Sequence, residues 1–182
     1  RIVRTVIKSD SRLTYEEAQA VIETGKGAFS SEILKLNDLA KQLRERRFAE
    51  GAINFERYDV EFNLDEKGKP LGVFFKESKE ANHLIEELML LANRTVAEAI
   101  GKVPRDKKAR AFVYRIHDVP DPEKLDIFNS FILRFGHKIK TSGSKAEVAR
   151  SLNSVLDKVQ GRPEENLIET IAIRTMSKAI YS

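Results

Sequence analysis

Apolar positions along this chain recur at two spacings, one helical and one alternating. From Ser78 to Ile100, Ala81, Leu84, Ile85, Leu88, Leu91, Ala92, Thr95, Val96 and Ala99 follow the helical repeat. They predict one long, mostly buried helix that is apolar almost all the way round. From Tyr58 to Leu64, apolar Tyr58, Val60, Phe62 and Leu64 alternate with polar neighbours, the period of a half-buried strand. The turn sequence DEKGKP follows, and Leu71 to Phe75 returns as the second strand of a hairpin. Helices are predicted at Leu13–Thr24, Ser31–Phe48, Pro122–Phe135, Lys145–Val159 and Pro163–Ile180. Thr14 suits the N-cap of the first, with Glu16 and Glu17 in its opening turn, and Gly25 to Gly27 ends it. Ile33, Leu36, Ala40 and Leu43 form the inward stripe of the second, and its basic end suits a helix C-terminus. Ile2, Val3, Val6 and Ile7 read as an opening strand, and Ala111 to Ile116 as a short one. The fold class is α+β, helix-rich with a few antiparallel strands.

The chain has 182 residues, 41% hydrophobic and 33% charged, enough for one domain with a sizeable core. No apolar run approaches the ~20 residues of a membrane-spanning helix. Cysteine is absent, which excludes disulfides and thiolate metal sites and fits a cytoplasmic protein. A net charge of +4 is mildly basic. Lys41, Arg44, Arg46 and Arg47 form one basic cluster, and Lys102, Arg105, Lys107, Lys108 and Arg110 another. Each reads as a solvated face or as a set of salt-sensitive phosphate contacts.

A polar stripe interrupts the long apolar helix. Asn82, Glu86 and Asn93 lie within about 40° of one another at 100° per residue. Polar groups on a buried helix need partners, so the stripe is either an interhelical hydrogen-bond network or the lining of a ligand channel. Glu87 points about 100° away from Glu86. His83 reads as a core or surface histidine. The aspartates are dispersed, with no carboxylate cluster of the kind that holds two metal ions, and the three histidines lack ligand spacing. Asp118 and Asp121 flank Pro120 and read as turn and helix-cap residues.

The wording of these segments adds a family. SKEANHLIEELMLLAN closely resembles the helix of the ribonuclease II/ribonuclease R family, whose catalytic domain is called RNB. RTVIKSDSRLTYEEAQAVIE, GAINFERYDVEFNLDEKGKP, FVYRIHDVPDPEKLDIF and IETIAIRTMSKAIYS resemble further family segments in the family's order, so the likeness spans nearly the whole chain. LTYEEAQ and IHDVPDPEKL lean toward its bacterial ribonuclease R branch.

The resemblance implies that residues 1–182 are a single partial domain, the central part of an RNB catalytic domain truncated at both ends. It implies a monomeric parent enzyme that hydrolyses RNA processively from its single-stranded 3′ end to nucleoside 5′-monophosphates. Mg²⁺ would be its cofactor, with ligands outside this chain. The fragment would form the wall of the RNA 3′-end cavity. Glu86 matches a glutamate that contacts the 3′-terminal nucleotide and is the candidate catalytic residue. Its carboxylate suits ribose hydroxyls, the groups that distinguish RNA from DNA. Phe55, in GAINFER, matches an aromatic that stacks on the terminal base, a contact that tolerates every base. Asn82 is a third candidate RNA contact. The alternative is a catalytically inactive RNB relative that binds RNA or regulates.

Overall fold

In a computed structural model of the chain, described residues are 3–55, 59–103, 108 and 110–182. Contacts divide the chain into two compact units, one comprising residues 1–42 and 58–88, the other 43–57 and 89–182. Helices α2 (Ser30–Ala49) and α3 (Glu80–Gly101) each contribute to both.

The first unit begins with residues 3–13, which form no regular element, against the expected opening strand. Val6 and Ile7 are almost fully exposed. A strand needs a ladder to satisfy its backbone, and no described strand lies beside this segment. Arg1 and Ile2 lie outside the described residues. Helix α1 (Tyr15–Thr24) starts where its caps dictate: Thr14 and Glu17 form a reciprocal capping box, and Gly25 closes the helix in the left-handed region. Gln19 on α1 accepts a hydrogen bond from the Ala81 amide at the start of α3 (2.9 Å). The buried positions of α2 are Asn37 and Ala40, whereas Leu36 of the expected stripe is exposed. Strands β1 (Asp59–Leu64) and β2 (Pro70–Lys76) pair antiparallel, with Val60 opposite Phe75 and Phe62 opposite Val73. Asp65 Oδ1 accepts from the amides of Lys67 and Lys69 and shapes the turn. The hairpin is present as predicted, but its burial is not: every residue of β2 is exposed, as are Val60, Phe62 and Leu64. Tyr58 lies outside the described residues.

Helix α3 spans the predicted segment with a different burial. Only Ala81, Leu84 and Glu87 are buried, while Ile85, Met89, Leu90 and Leu91 are exposed. The expectation of a mostly buried helix is therefore corrected, and no described helix is long and apolar enough to cross a membrane.

The second unit packs α4 (Pro122–Ile132), α5 (Lys145–Val159) and α6 (Glu165–Thr175) around one core. Phe128, Ile132, Leu152, Val159 and Ile168 have no accessible surface. Burying a side chain of this size contributes about 1.5–3 kcal/mol. Asp121 caps α4 through the Glu123 amide, with Pro122 at the first helical position. A short 3₁₀ turn (Leu133–Phe135) and Gly136 end it. The last helix stops at Thr175, short of its predicted end. Residues Ile180–Tyr181 instead form β4, antiparallel to β3 (Arg115–Ile116), and Tyr114 and Ser182 exchange both backbone hydrogen bonds at 2.9 Å.

Two extended segments of this unit are held by side chains in place of a neighbouring strand. Asn129 accepts from the Ile139 amide (2.9 Å) and Ser151 from the Lys140 amide (2.7 Å). Asn153, on α5, accepts from the Asn54 amide (3.0 Å) and donates to the Ala52 carbonyl (2.9 Å). One side-chain amide thus serves two backbone groups of the strap at 52–54.

The start of α5 is a second capping box. Ser144 accepts from the Glu147 amide, and Glu147 accepts from both the amide and the hydroxyl of Ser144. Lys140 adds an ion pair at 3.3 Å. The Ser144 backbone N–H, then its hydroxyl, then Lys140 hold the Glu147 carboxyl at a pKa of about 2. A folded-state pKa below the unfolded value stabilises above the unfolded pKa, and that contribution disappears as pH falls through the folded one. Acid titration followed by circular dichroism should therefore show Glu147→Gln and wild type diverging in stability above about pH 5 and converging toward pH 2. A stability difference that does not change with pH across this range would dissociate the box from the ionised carboxylate.

Candidate nucleic-acid interface

The strap at residues 51–55 positions Phe55. Gly51 has a φ of 102°, and a Cβ there would sit 3.2 Å from the Ala146 Cα. Only glycine combines that backbone conformation with so close an approach to α5. Asn153 then fixes residues 52–54, and Ile53 and Phe55 pack on the edge of the core.

Phe55 also lines a cleft of about 1220 Å³ that lies wholly within the second unit. Leu125 and Leu152 belong both to its lining and to the core, so the floor of the cleft is the core itself. Arg47, Arg115, Lys145 and Lys178 line it from four separate places: the end of α2, strand β3, the start of α5 and the segment between α6 and β4. His117 lines it too, two residues beyond Arg115. Among the described residues the one lining carboxylate is Asp118, which accepts from the Val119 amide (2.8 Å). The Arg47 guanidinium lies over the Phe48 ring, 5.1 Å from its centroid. An apolar floor, an aromatic edge and an excess of cations suit a polyanion with flat apolar groups along it.

The remaining candidates lie elsewhere. Glu86 is in the first unit, half exposed, with its carboxylate 3.7 Å from His83 Nδ1. Glu87 is the buried glutamate of the pair. Asn82 accepts from the Lys79 amide (3.1 Å), so its carbonyl oxygen satisfies the open N-terminus of α3. Asn93 is exposed. The polar stripe therefore does not form a buried network along α3.

Few described members of the two basic clusters bear on the cleft. Of the first, only Arg47 reaches the cleft, while Lys41 pairs with Glu80 at 3.6 Å. Of the second, Arg105 and Lys107 lie outside the described residues, and Lys102 pairs with Glu98 at 3.3 Å. Arg115, Lys145 and Lys178 escape a search for charge runs because they are dispersed along the chain. Asn153 had a weak signal, a lone amide beside the apolar stripe of α5. Among the described residues, no group of three or more His, Asp or Glu side chains can hold a metal ion.

The RNB domain family model matches residues 1–182, the whole chain. The chain belongs to the RNB domain family. It is 31% identical to ribonuclease R of Aquifex aeolicus over 188 aligned residues, which take in all of this chain and 26% of the relative. It is 34% identical to DIS3-like exonuclease 2 of Schizosaccharomyces pombe over 197 residues, covering 98% of the chain and 20% of that protein. A protein of Arabidopsis thaliana named inactive exonuclease DIS3L2 is 30% identical over 99% of the chain and 18% of its own length. The chain thus spans about a quarter or less of these relatives. Among solved structures, Mycoplasma genitalium RNase R in complex with ribose-methylated single-stranded RNA matches with a TM-score of 0.75 at 22% identity, over 92% of this chain and 26% of that one. The RNB chain therefore has the helix-rich α+β fold expected of the family.

Proposed function

We propose that this RNB chain is part of a 3′-to-5′ exoribonuclease and supplies part of the wall that holds the RNA 3′ end. The carrying observation is the cleft that joins Phe55 to four cationic side chains, in a chain that belongs to the RNB family throughout. The RNA in the Mycoplasma genitalium complex supports the choice of ligand. Phe55 takes a base on its ring, which suits an enzyme that must accept any sequence. Glu86 takes ribose hydroxyls, and Asn82 stands near it in sequence as a second polar contact. The described residues do not fit a magnesium site, so no hydrolytic step is assigned to them; the metal of the whole enzyme would be held by other residues.

In the full chain, Phe55→Leu keeps an apolar side chain at the core edge and removes the ring. It should weaken binding of a single-stranded RNA 3′ end by about 1–3 kcal/mol, one stacking contact. Fluorescence anisotropy with a labelled oligoadenylate in EDTA reads this directly. Affinity equal to wild type would make Phe55 a packing residue only. A second reading, an inactive RNB protein that binds RNA, is favoured by the likeness to the inactive Arabidopsis relative. Release of mononucleotides by the whole parent protein on adding Mg²⁺ decides between them.

A further inference from the structure

We propose that Arg115, Lys145 and Lys178 form a phosphate grip, holding the RNA backbone beside the base on Phe55. The inference rests on the RNA-binding reading above and adds three binding residues to it. These side chains come from three elements that meet only in the folded second unit. Pairing of β3 with β4 sets Arg115 opposite Tyr181 and Ile116 opposite Ile180, which brings the segment carrying Lys178 alongside Arg115. Lys145 enters from the first residue of α5.

Among the described residues none of the three has a carboxylate within ion-pair distance, whereas Lys41, Lys102 and Lys140 each have one. Asp118, the acidic side chain among the described residues that line the cleft, accepts a hydrogen bond from the Val119 backbone amide. Three uncompensated cations around a concave apolar floor raise the local positive potential beyond what the same charges give on a convex face. The Phe55 ring supplies a face for a base in the same cleft. Alternating phosphates and bases are the repeat of a single-stranded nucleic acid, and cation and ring together match it.

The counterion-release relation makes the grip measurable: each phosphate contact to a single strand contributes about 0.7 to the slope of log affinity against log salt. Binding of labelled oligoadenylate to the full chain in EDTA, over a range of KCl concentrations, should give a slope lowered by about 0.7 in each of Arg115→Gln, Lys145→Gln and Lys178→Gln. Lys102→Gln, outside the cleft, should keep the wild-type slope, and circular dichroism checks the fold of each variant. Wild-type slopes in all three cleft variants, with Phe55→Leu still weakened, would overturn the grip and leave the stacking intact. Lowered slopes with an unaffected Phe55→Leu would support the grip and remove the stacking. Polyglutamate competing as well as oligoadenylate would overturn RNA as the ligand.

Discussion

Replacing Asn153 by alanine is expected to release the strap that carries Phe55 and to cost both stability and RNA affinity. The Asn153 side chain serves two backbone groups at once, the Asn54 amide and the Ala52 carbonyl. Both residues are half-buried, so water replaces the lost bonds only in part. Each hydrogen bond contributes about 0.5–1.5 kcal/mol net, and two are lost here. The loss should appear as a lower urea midpoint with an unchanged slope. Asn153 does not line the cleft, so the accompanying loss of RNA affinity acts through strap residues that do, among them Phe55. A double-mutant cycle isolates this: Asn153→Ala should weaken RNA binding far less in a Phe55→Leu background than in wild type. Additive losses would mean that Asn153 does not position Phe55. Asn153→Asp tests the geometry further. It keeps the acceptor for the Asn54 amide but sets a carboxylate against the Ala52 carbonyl, so rescue should be partial at best.

Phe128→Ala should be the more destabilising change, by about 3–5 kcal/mol. Phe128 lies on α4 with no accessible surface, among Leu125, Leu152, Ile168 and Ala172 of the same core cluster. Truncation removes the buried ring and leaves a cavity that three packed helices can only partly close. Leu125 and Leu152 of the same core cluster also line the cleft, so the core that Phe128 fills adjoins the proposed site. Chemical denaturation should show the drop, and Phe128→Leu should recover much of it. A loss below about 1 kcal/mol for the alanine variant would be incompatible with the packing described.

The sequence by itself determined the elements whose signals are local. Thr14 with Glu17 set the start of α1, Asp121 with Pro122 that of α4, and both act within a few residues of chain. The alternation at Val60, Phe62 and Leu64 determined β1, and the turn at Asp65 its return. The family was legible because its wording runs co-linearly through the whole chain. Tertiary structure decided everything that depends on partners distant in sequence. Helix α6 stops at Thr175 because Ile180 and Tyr181 find a ladder partner in Arg115 and Ile116, which no local pattern announces. The opening segment has the composition of a strand, but among the described residues no strand lies beside residues 3–13, and they form no regular element. Periodicity likewise marks which residues of α3 are apolar but not which are covered, and Ile85 and Met89 stay exposed. The cleft is the strongest case. Phe55 could be singled out as a residue, but Arg115, Lys145, Lys178 and Asn153 join it only after folding. Charge and hydrogen bonding act through distance in space, and the chain order holds no record of that distance until the core has closed.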